Sequence, residues 1–470
     1  MCGINGVTNK DSVSLERMTH ATAHRGPDAT DYYFADHISL GHNRLSVIDL
    51  SQEANQPMHS EDGRYSIVFN GEIYNYRELK AEIGSRWKFK TQGDTEVLLA
   101  GYALWGREVL SKVKGIFTFA IWEETTQSVL LVRDHMGVKP LYYSIQNNIL
   151  YFSSELGGII AGTNVRTLNP EAFSHYLTFN YAPSPLTLVS GVHKLEPGTL
   201  LTFSNEKAVV ERYFTPKQPE VLTKNCSEVL RTVIGSGVER QLVSDRPLGV
   251  FLSGGLDSSI VLHHVAEHLE RVKTFSVDFE LMSGLSASES VKFNSDARLA
   301  EKTANVYKAD HTTFTISLQD VRDELHDALL CLDEPIANPT SVSQYLLAKW
   351  VRQTGVVVAL GGDGGDELFG GYTRHKIAMA ALYFQNSPLL LQKFGSALYS
   401  PLQKLSIPFG AEFHMQLLGL KPSKYQKLFA SENHFDTGRK FFAQRYNSEL
   451  ITSLSPVDAF MRVDRESWLC

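Results

Sequence analysis

The segment Leu248-Gly249-Val250-Phe251-Leu252-Ser253-Gly254-Gly255-Leu256-Asp257-Ser258-Ser259 sets the architecture of the second half of this chain. An apolar run of strand length ends in two glycines and a cluster of hydroxyls, and a helical pattern follows from Ser258 to Leu269. Paired glycines let a backbone turn tightly and aim its N–H groups at an anion. A helix N-terminus adds partial positive charge, and Ser253, Ser258 and Ser259 add hydroxyl donors. The segment therefore reads as a phosphate loop. It lacks the Gly-Lys-Ser/Thr ending of a Walker A loop, and no Gly-x-Gly-x-x-Gly accompanies it to suggest a dinucleotide fingerprint. Asp257 would repel a bare pyrophosphate, so its presence implies a bridging Mg²⁺.

Outward from this loop, strand and helix alternate. The spacing predicts helices over 227–242, 297–307, 321–331 and 342–354, and strands over 274–279, 312–316 and 356–360. Short apolar strands alternating with helices indicate an α/β domain with a doubly wound parallel sheet. The strand from Val356 to Leu360 runs into Gly361-Gly362-Asp363-Gly364-Gly365-Asp366-Glu367 and on to Tyr372. Glycines and carboxylates at the carboxyl end of a strand make a candidate second loop for metal ligands, at the edge where such sheets bind ligands. Beyond about Ile377 the pattern reads as helices with loops.

The first half has a different rhythm. Short strand-like runs such as Ile38 to Leu40, Tyr65 to Phe69, Ile116 to Trp122 and Val129 to Val132 are separated by turn signals. Helical patterns are fewer, at 15–23, 76–83 and 95–105. The expectation is a mixed, mostly antiparallel α+β domain over residues 2–205. A polar stretch with Pro216 and Pro219 is the expected linker, over 206–225, and the α/β domain fills 226–470.

Composition bounds the function classes. A chain of 470 residues is too long for one core. Hydrophobic content of 43% and charged content of 21% are those of an ordinary globular protein. A net charge of −7 argues against a nucleic-acid surface. The four cysteines are far apart, which excludes a disulfide scaffold and a zinc ribbon. Neither a basic-then-apolar leader nor an apolar run of ~18 residues is present, so the expected setting is the cytoplasm, away from membranes.

Met1-Cys2-Gly3-Ile4 carries the chemistry of the first half. A small residue at position two permits removal of Met1, leaving Cys2 with a free α-amine beside its own thiol. Such an amine has a pKa of roughly 7.7–8.0 and can take the thiol proton itself. Polar clusters interrupt the strands at His24–Asp28, Arg44–Asp49, Asn70–Asn75, Gly93–Glu96 and Arg133–Gly137. Asn70 beside Gly71 can be a hairpin turn or a two-donor oxyanion hole. Arg44 can hold a carboxylate bidentately, and Glu72 and Asp94 can hold an ammonium. Thiolate, oxyanion hole, carboxylate clamp and ammonium clamp together describe hydrolysis of the side-chain amide of a free amino acid, with glutamine the natural candidate.

At this point the two halves name a family. Cys2 to Ile4, His24 to Asp28, the Arg44 segment, Asn70 to Asn75 and Asp94 resemble a class II glutamine amidotransferase domain. Ser253 to Ser259 and Gly361 to Tyr372 resemble the synthetase domain of the glutamine-hydrolysing asparagine synthetase family. The likeness runs from Cys2 to at least Tyr372, in the family's motif order. The resemblance implies an αββα N-terminal-nucleophile sandwich followed by an adenine nucleotide α-hydrolase-like α/β domain. It implies Cys2 as nucleophile with Asn70 and Gly71 stabilising the oxyanion. The implied glutamine contacts are Arg44, Leu45, Ser46, Val47, Ile48, Asn70, Gly71, Glu72 and Asp94. ATP is implied at Leu252, Ser253, Gly254, Gly255, Asp257, Ser258, Ser259, Val277, Gly361 and Gly362, with Mg²⁺ on Asp257 and Asp366 and a further catalytic carboxylate at Asp363. Ammonia from glutamine would travel through a tunnel to an acyl-adenylate of aspartate or another carboxylate. The oligomeric state stays open, with a homodimer as one option.

Two departures matter. Asparagine-making members often carry Ser-Gly-Glu where this chain has Gly361-Gly362-Asp363, which leaves the acceptor open between aspartate and, for example, a sugar uronic acid. The family also usually continues with a Lys-Val-Asp-Arg segment, whose Lys meets charge on the adenylate. Arg462-Val463-Asp464-Arg465 better resembles the helix upstream of that segment, so the chain is expected to be C-terminally truncated and, in a third reading, to retain only glutaminase activity. His263, His264 and His268 lack a His-Glu-x-x-His pattern and a third ligand and are read as structural, as are Arg133, Asp134, Cys226 and Cys331.

Overall fold

The computed structural model describes residues 1–216, 224–280, 294–336, 338, 340–385, 440–447 and 455–468. By its internal contacts the chain forms two compact units. One comprises Met1–Thr167, Val189–Thr215 and Leu222–Gly362, the other Leu168–Leu188, Pro216–Val221 and Asp363–Cys470.

The first unit begins with two antiparallel sheets. Their strands are β1 (Gly3–Val7), β2 (Ala29–Ala35), β3 (Ile38–Arg44), β4 (Met58–His59), β5 (Tyr65–Ile73), β6 (Gly115–Glu123), β7 (Ser128–Arg133), β8 (Tyr142–Gln146), β9 (Ile149–Ser153), β10 (Val192–Lys194), β11 (Thr199–Ser204) and β12 (Lys207–Arg212). One sheet runs β10-β8-β9-β1-β3-β2 and the other β12-β11-β7-β6-β5-β4. Successive side chains of a strand face opposite ways, and the central strands are apolar on both faces. On β6, Phe117, Phe119 and Ile121 join the core under the helices Tyr76–Ile83 and Asp94–Trp105, while Ala120 and Trp122 join the core between the sheets. Ile4, Leu40 and Phe152 of the first sheet meet Val68, Leu131 and Leu201 of the second in that same inter-sheet core. On the far side, Met18 of the helix Ser12–Ala21 and Leu156 and Ile159 of the helix Leu156–Thr163 pack with Val7 and Tyr142. Helix, sheet, sheet and helix form the αββα sandwich.

The expected linker over 206–225 needs correction at its start. Lys207–Arg212 is β12, paired along its length with β11. Asn205 and Glu206, at φ +48 and +62, make the two-residue turn that joins them. The strand lies at the sheet's edge with Val209 and Val210 exposed, so no apolar alternation marks it in the sequence.

The rest of the first unit is the parallel sheet of β13 (Leu248–Phe251), β14 (Lys273–Phe279), β15 (Asp310–Ile316) and β16 (Val358–Leu360), in the order β15-β14-β13-β16. The chain winds outward from β13 to β15 and then returns to the other side of β13. The switch point of this doubly wound sheet therefore lies between β13 and β16. Its helices are Cys226–Gln241, Leu256–Ala266, Ser295–Val306, Leu318–Leu330 and Thr340–Gln353. Leu318–Leu330 starts three residues before the expected position because Ser317 and Asp320 form a capping box.

In the second unit, Arg462-Val463-Asp464-Arg465 lies inside the helix Pro456–Trp468. Asp464 is fully buried and accepts from Arg374 Nε and His375 Nε2, each at 2.7 Å. Among the described residues no helix is long and apolar enough to cross a membrane.

Candidate active site

Cys2 immediately precedes β1, whose first residue, Gly3, is paired with Asn43 near the end of β3. That register puts the thiol beside the residue that follows β3. Leu45 N–H donates to Cys2 Sγ at 3.4 Å. The carbonyl of Cys2 accepts from Arg25 Nε at 2.8 Å, and Arg25 Nη1 is held by Glu155 at 2.8 Å. Burial pushes the Cys2 thiol up, so it needs a base close at hand. The terminal amine, here that of Met1, is pushed down to about 6, chiefly by burial.

One pocket is lined by Cys2 together with Arg44, Leu45, Ser46, Val47, Ile48, Asn70, Gly71, Glu72 and Asp94. Every residue expected to touch glutamine thus borders the same cavity as the thiol. Asn70 sits on β5 opposite Thr118 of β6, 1% exposed. Neither its amide nitrogen nor its oxygen has a partner in the structure. An unsatisfied buried amide costs about 1–3 kcal/mol, which a ligand oxygen would recover. Gly71 follows where a Cβ would lie 2.2 Å from the Ile116 carbonyl, so no larger residue keeps this strand in place.

The charged groups are arranged less simply than the sequence suggests. Arg44 donates to the carbonyls of Ser51, at 2.6 Å, and Asp49, and to Asn55 Oδ1 at 2.7 Å. These bonds occupy three of the five guanidinium donors and lock the side chain, leaving the remainder for a ligand. Asp49 also joins this loop to the next through its carboxylate, which accepts from Gln92 N–H at 2.7 Å. Asp94 opens the helix Asp94–Trp105, and its Oδ2 accepts from Ile73 N–H at 2.8 Å. Burial, reinforced by the charge of Glu72, pushes its carboxyl up to about 7. Glu72 itself faces Lys139 Nζ at 3.6 Å. Lys139, Arg25 and Gln56, whose Oε1 accepts from Phe69 N–H at 2.6 Å, were not among the expected site residues. Only the Arg25 cluster carried a sequence signal.

The phosphate loop is internally braced. Ser258 Oγ accepts from Ser253 N–H at 3.2 Å and lies 3.0 Å from Ser253 Oγ, and Ser259 Oγ donates to the Gly255 carbonyl at 2.7 Å. Gly255 caps the helix Leu256–Ala266 without any side-chain bond of its own, and its N–H donates to Ser253 Oγ at 3.3 Å. A Cβ on Gly362 would lie 2.7 Å from Ser258 N and 2.9 Å from Asp257 Cβ. The chain leaving β16 therefore rests on the loop leaving β13, at the switch point. Leu252 is spent on the α/β core, and Val277 lies on β14 opposite Phe314. Asp363 and Asp366 belong to the second unit. There Asp366 Oδ1 occupies the space a Cβ on Gly371 would need, and Glu367 accepts from Tyr372 Oη at 2.5 Å. His263, His264 and Glu267 have potential ligand atoms within 4.8 Å of one another, but His264 Nδ1 already meets Glu267 Oε2 at 2.9 Å. The group reads as ion pairing along one helix.

Comparison with known proteins matches each half of the sequence to a family of its own. Residues 1–214 match the family described as glutamine amidotransferase domain, and residues 229–469 match the family described as asparagine synthase. The Bacillus subtilis protein named asparagine synthetase [glutamine-hydrolyzing] 1 is 36% identical over 84% of this chain and 62% of its own length. A Methanocaldococcus jannaschii protein named putative asparagine synthetase [glutamine-hydrolyzing] 2 is 32% identical over 86% of this chain and 81% of its own. The Gibberella zeae protein named amidase chry2 is 30% identical over 78% of this chain and 57% of its own. The chain thus spans about three fifths of the Bacillus subtilis relative. With both halves matched in order, the chain belongs to the asparagine synthase family.

Proposed function

We propose that this chain is a glutamine-dependent amide ligase that makes asparagine from aspartate, ATP and glutamine, releasing AMP, pyrophosphate and glutamate. The observation that carries the reading is the buried, unpartnered Asn70 amide in the pocket that also holds Cys2, Arg44 and Asp94. With Met1 removed, the α-amine of Cys2 takes the thiol proton and Sγ attacks the side-chain carbonyl of glutamine. Asn70 Nδ2 and Gly71 N–H meet the oxyanion, as preorganised donors that need little reorganisation while the charge develops. Ammonia leaves, and water releases glutamate from the thioester. Arg44 holds the α-carboxylate, and Asp94 and Glu72 hold the ammonium.

The α/β half, taken as 226–470 after a glutaminase half of 2–205, binds ATP at the loops after β13 and β16. The aspartate side-chain carboxylate attacks the α-phosphorus, pyrophosphate leaves, and ammonia displaces AMP from the acyl carbon. Asp257 and Asp366 are hard oxygen donors suited to Mg²⁺, which when bound would neutralise charge on the pyrophosphate. Asp363 stands in the glycine-rich turn just before the helix Gly365–Phe369, whose first turn carries Asp366. A cytoplasmic setting would keep Cys2 reduced. A second acceptor, such as a sugar uronic acid, is favoured by Gly361-Gly362-Asp363 in place of the family's commoner Ser-Gly-Glu. Assaying aspartate against such acids separates the two.

The test is Cys2→Ala. The variant should lose glutamate release from glutamine while amidation driven by added ammonia persists, and mass spectrometry should find the wild-type chain starting at Cys2. Glutamate release by the Ala variant at the original rate would refute the assignment.

A further inference from the structure

Lys139 takes no part in the chemistry above, yet it is 5% exposed with its ammonium 3.6 Å from Glu72 Oε2. A buried ammonium is costly unless it is paired, and here the partner borders the same pocket as Cys2. The backbone of Lys139 is fixed from both sides. Its N–H donates to Asp134 Oδ2 at 3.0 Å, and its carbonyl accepts from Arg133 Nε at 2.9 Å. Asp134 also accepts from the N–H groups of Phe117, Met136 and Val138. Arg133 also donates to the carbonyls of Gly137 and Leu195. The segment from Arg133 to Lys139 is thus a rigid bracket that delivers one ammonium to Glu72.

The charges facing the thiol show why an ammonium is needed there. The terminal amine, Arg44 and Lys139 act on Cys2 from the positive side and Glu72 from the negative, with Asp94 beyond Glu72. Arg25 holds the Cys2 carbonyl. A carboxylate near a thiol opposes thiolate formation. We propose that Lys139 is a positioning residue of the glutaminase centre, whose ammonium pairs with Glu72 and cancels that carboxylate's field at Cys2 Sγ. The thiolate can then form although an acidic ammonium-binding group shares its pocket. This inference rests on Cys2 being the nucleophile.

The experiment follows alkylation of Cys2 by iodoacetamide against pH on the intact chain, read on the Cys2 peptide by mass spectrometry. The peptides of Cys226, Cys331 and Cys470 serve as internal references. Lys139→Met should raise the inflection by about one pH unit, the scale of one charge a few ångströms away in a partly buried site. Lys139→Arg should keep the wild-type inflection. The double variant Glu72→Gln with Lys139→Met should bring it back to wild type or below, because the field to be cancelled is gone. A lysine needed only for folding would give no such rescue. Should Lys139→Met not fold, Lys139→Gln decides: a raised inflection supports the inference and an unchanged one overturns it. An unmoved inflection in folded Lys139→Met also overturns it. Failure of the nucleophile reading is separate and shows as glutaminase activity that survives complete Cys2 alkylation.

Discussion

Replacing Asp94 by Asn removes one buried charge from the pocket and keeps an oxygen for the Ile73 N–H, which Asp94 Oδ2 now accepts at 2.8 Å. Burial, with the charge of Glu72 behind it, pushes the Asp94 carboxyl up to about 7 in the folded protein. In an unfolded chain the value is roughly 3.9. The folded form therefore holds this proton more tightly than the unfolded form. The stability associated with the group is fully present below about pH 4, declines as pH rises, and is wholly lost above about pH 7. Three pH units correspond to about 4 kcal/mol, an upper figure because neighbouring groups relax. The Asn variant has no such titration. Its stability relative to wild type should be near zero at pH 4, about 1.5 kcal/mol at pH 5 and up to about 4 kcal/mol at pH 8. Urea denaturation of the glutaminase half at several pH values, followed by tryptophan fluorescence, measures this difference.

The same substitution should damage glutamine binding, since the carboxylate is the proposed partner of the substrate ammonium. Loss of one charge-assisted hydrogen bond raises KM for glutamine by about 10- to 100-fold. In the wild type, KM should climb about tenfold per pH unit below 7, because only ionised Asp94 holds the ammonium. A glutamine KM that is flat from pH 5.5 to 8 would remove Asp94 from the ammonium site. An Asn variant less stable than wild type at pH 8 would refute the burial argument.

Asn70→Ala should lower kcat for glutamine hydrolysis by ~10²–10³-fold with little change in KM, as expected for a donor used only at the oxyanion. Its urea midpoint should fall little, because the amide has no partner to lose, and a large fall would assign Asn70 to structure instead. Gly362→Ala would place a methyl group 2.7 Å from Ser258 N and force the phosphate loop to move. ATP–pyrophosphate exchange should drop by at least ~10-fold while glutamine hydrolysis keeps its rate, and unchanged exchange would remove the loop contact from the mechanism.

The parts legible in the sequence are those fixed by local chemistry. The helix Tyr76–Ile83 falls where its apolar spacing puts it, and the loop after β13 follows from its glycines and serines alone. Site residues carried by a motif, such as Asn70-Gly71 and Arg44, also come to one pocket. Pairings between distant residues were not legible. Nothing in Val138-Lys139-Pro140 says that the lysine is buried against Glu72, 67 positions earlier in the numbering. Nor does Arg44 announce that three of its donors are already taken by the loop that follows it. Edge strand β12 was hidden for a different reason: with both faces largely exposed, it has no apolar period to read.

The contacts within the first unit also tie the glutamine loop to the start of the parallel sheet. Asp28 Oδ2 accepts from Ser46 N–H at 2.8 Å and from Arg246 Nη2 at 3.2 Å. Arg246 Nε donates to the Ser46 carbonyl at 3.0 Å, and Asp49 N–H donates to Asp245 Oδ2 at 2.8 Å. The ion pair between Arg246 and Asp28 is partly exposed and by itself worth little. The side-chain-to-backbone bonds on either side of it are directional, however, and they fix both segments of the contact. Ser46 borders the pocket of Cys2, while Arg246 stands two residues before β13, the strand that ends in the phosphate loop. A displacement of the glutamine loop on substrate binding would therefore have to break these bonds or carry residues 245–246 with it. Physical coupling between the two chemistries needs such a shared element with more than one arrangement, and this junction is one of the places, beside Gly157 N–H to Asp333 and Lys194 to Glu334, where the described residues connect the two halves.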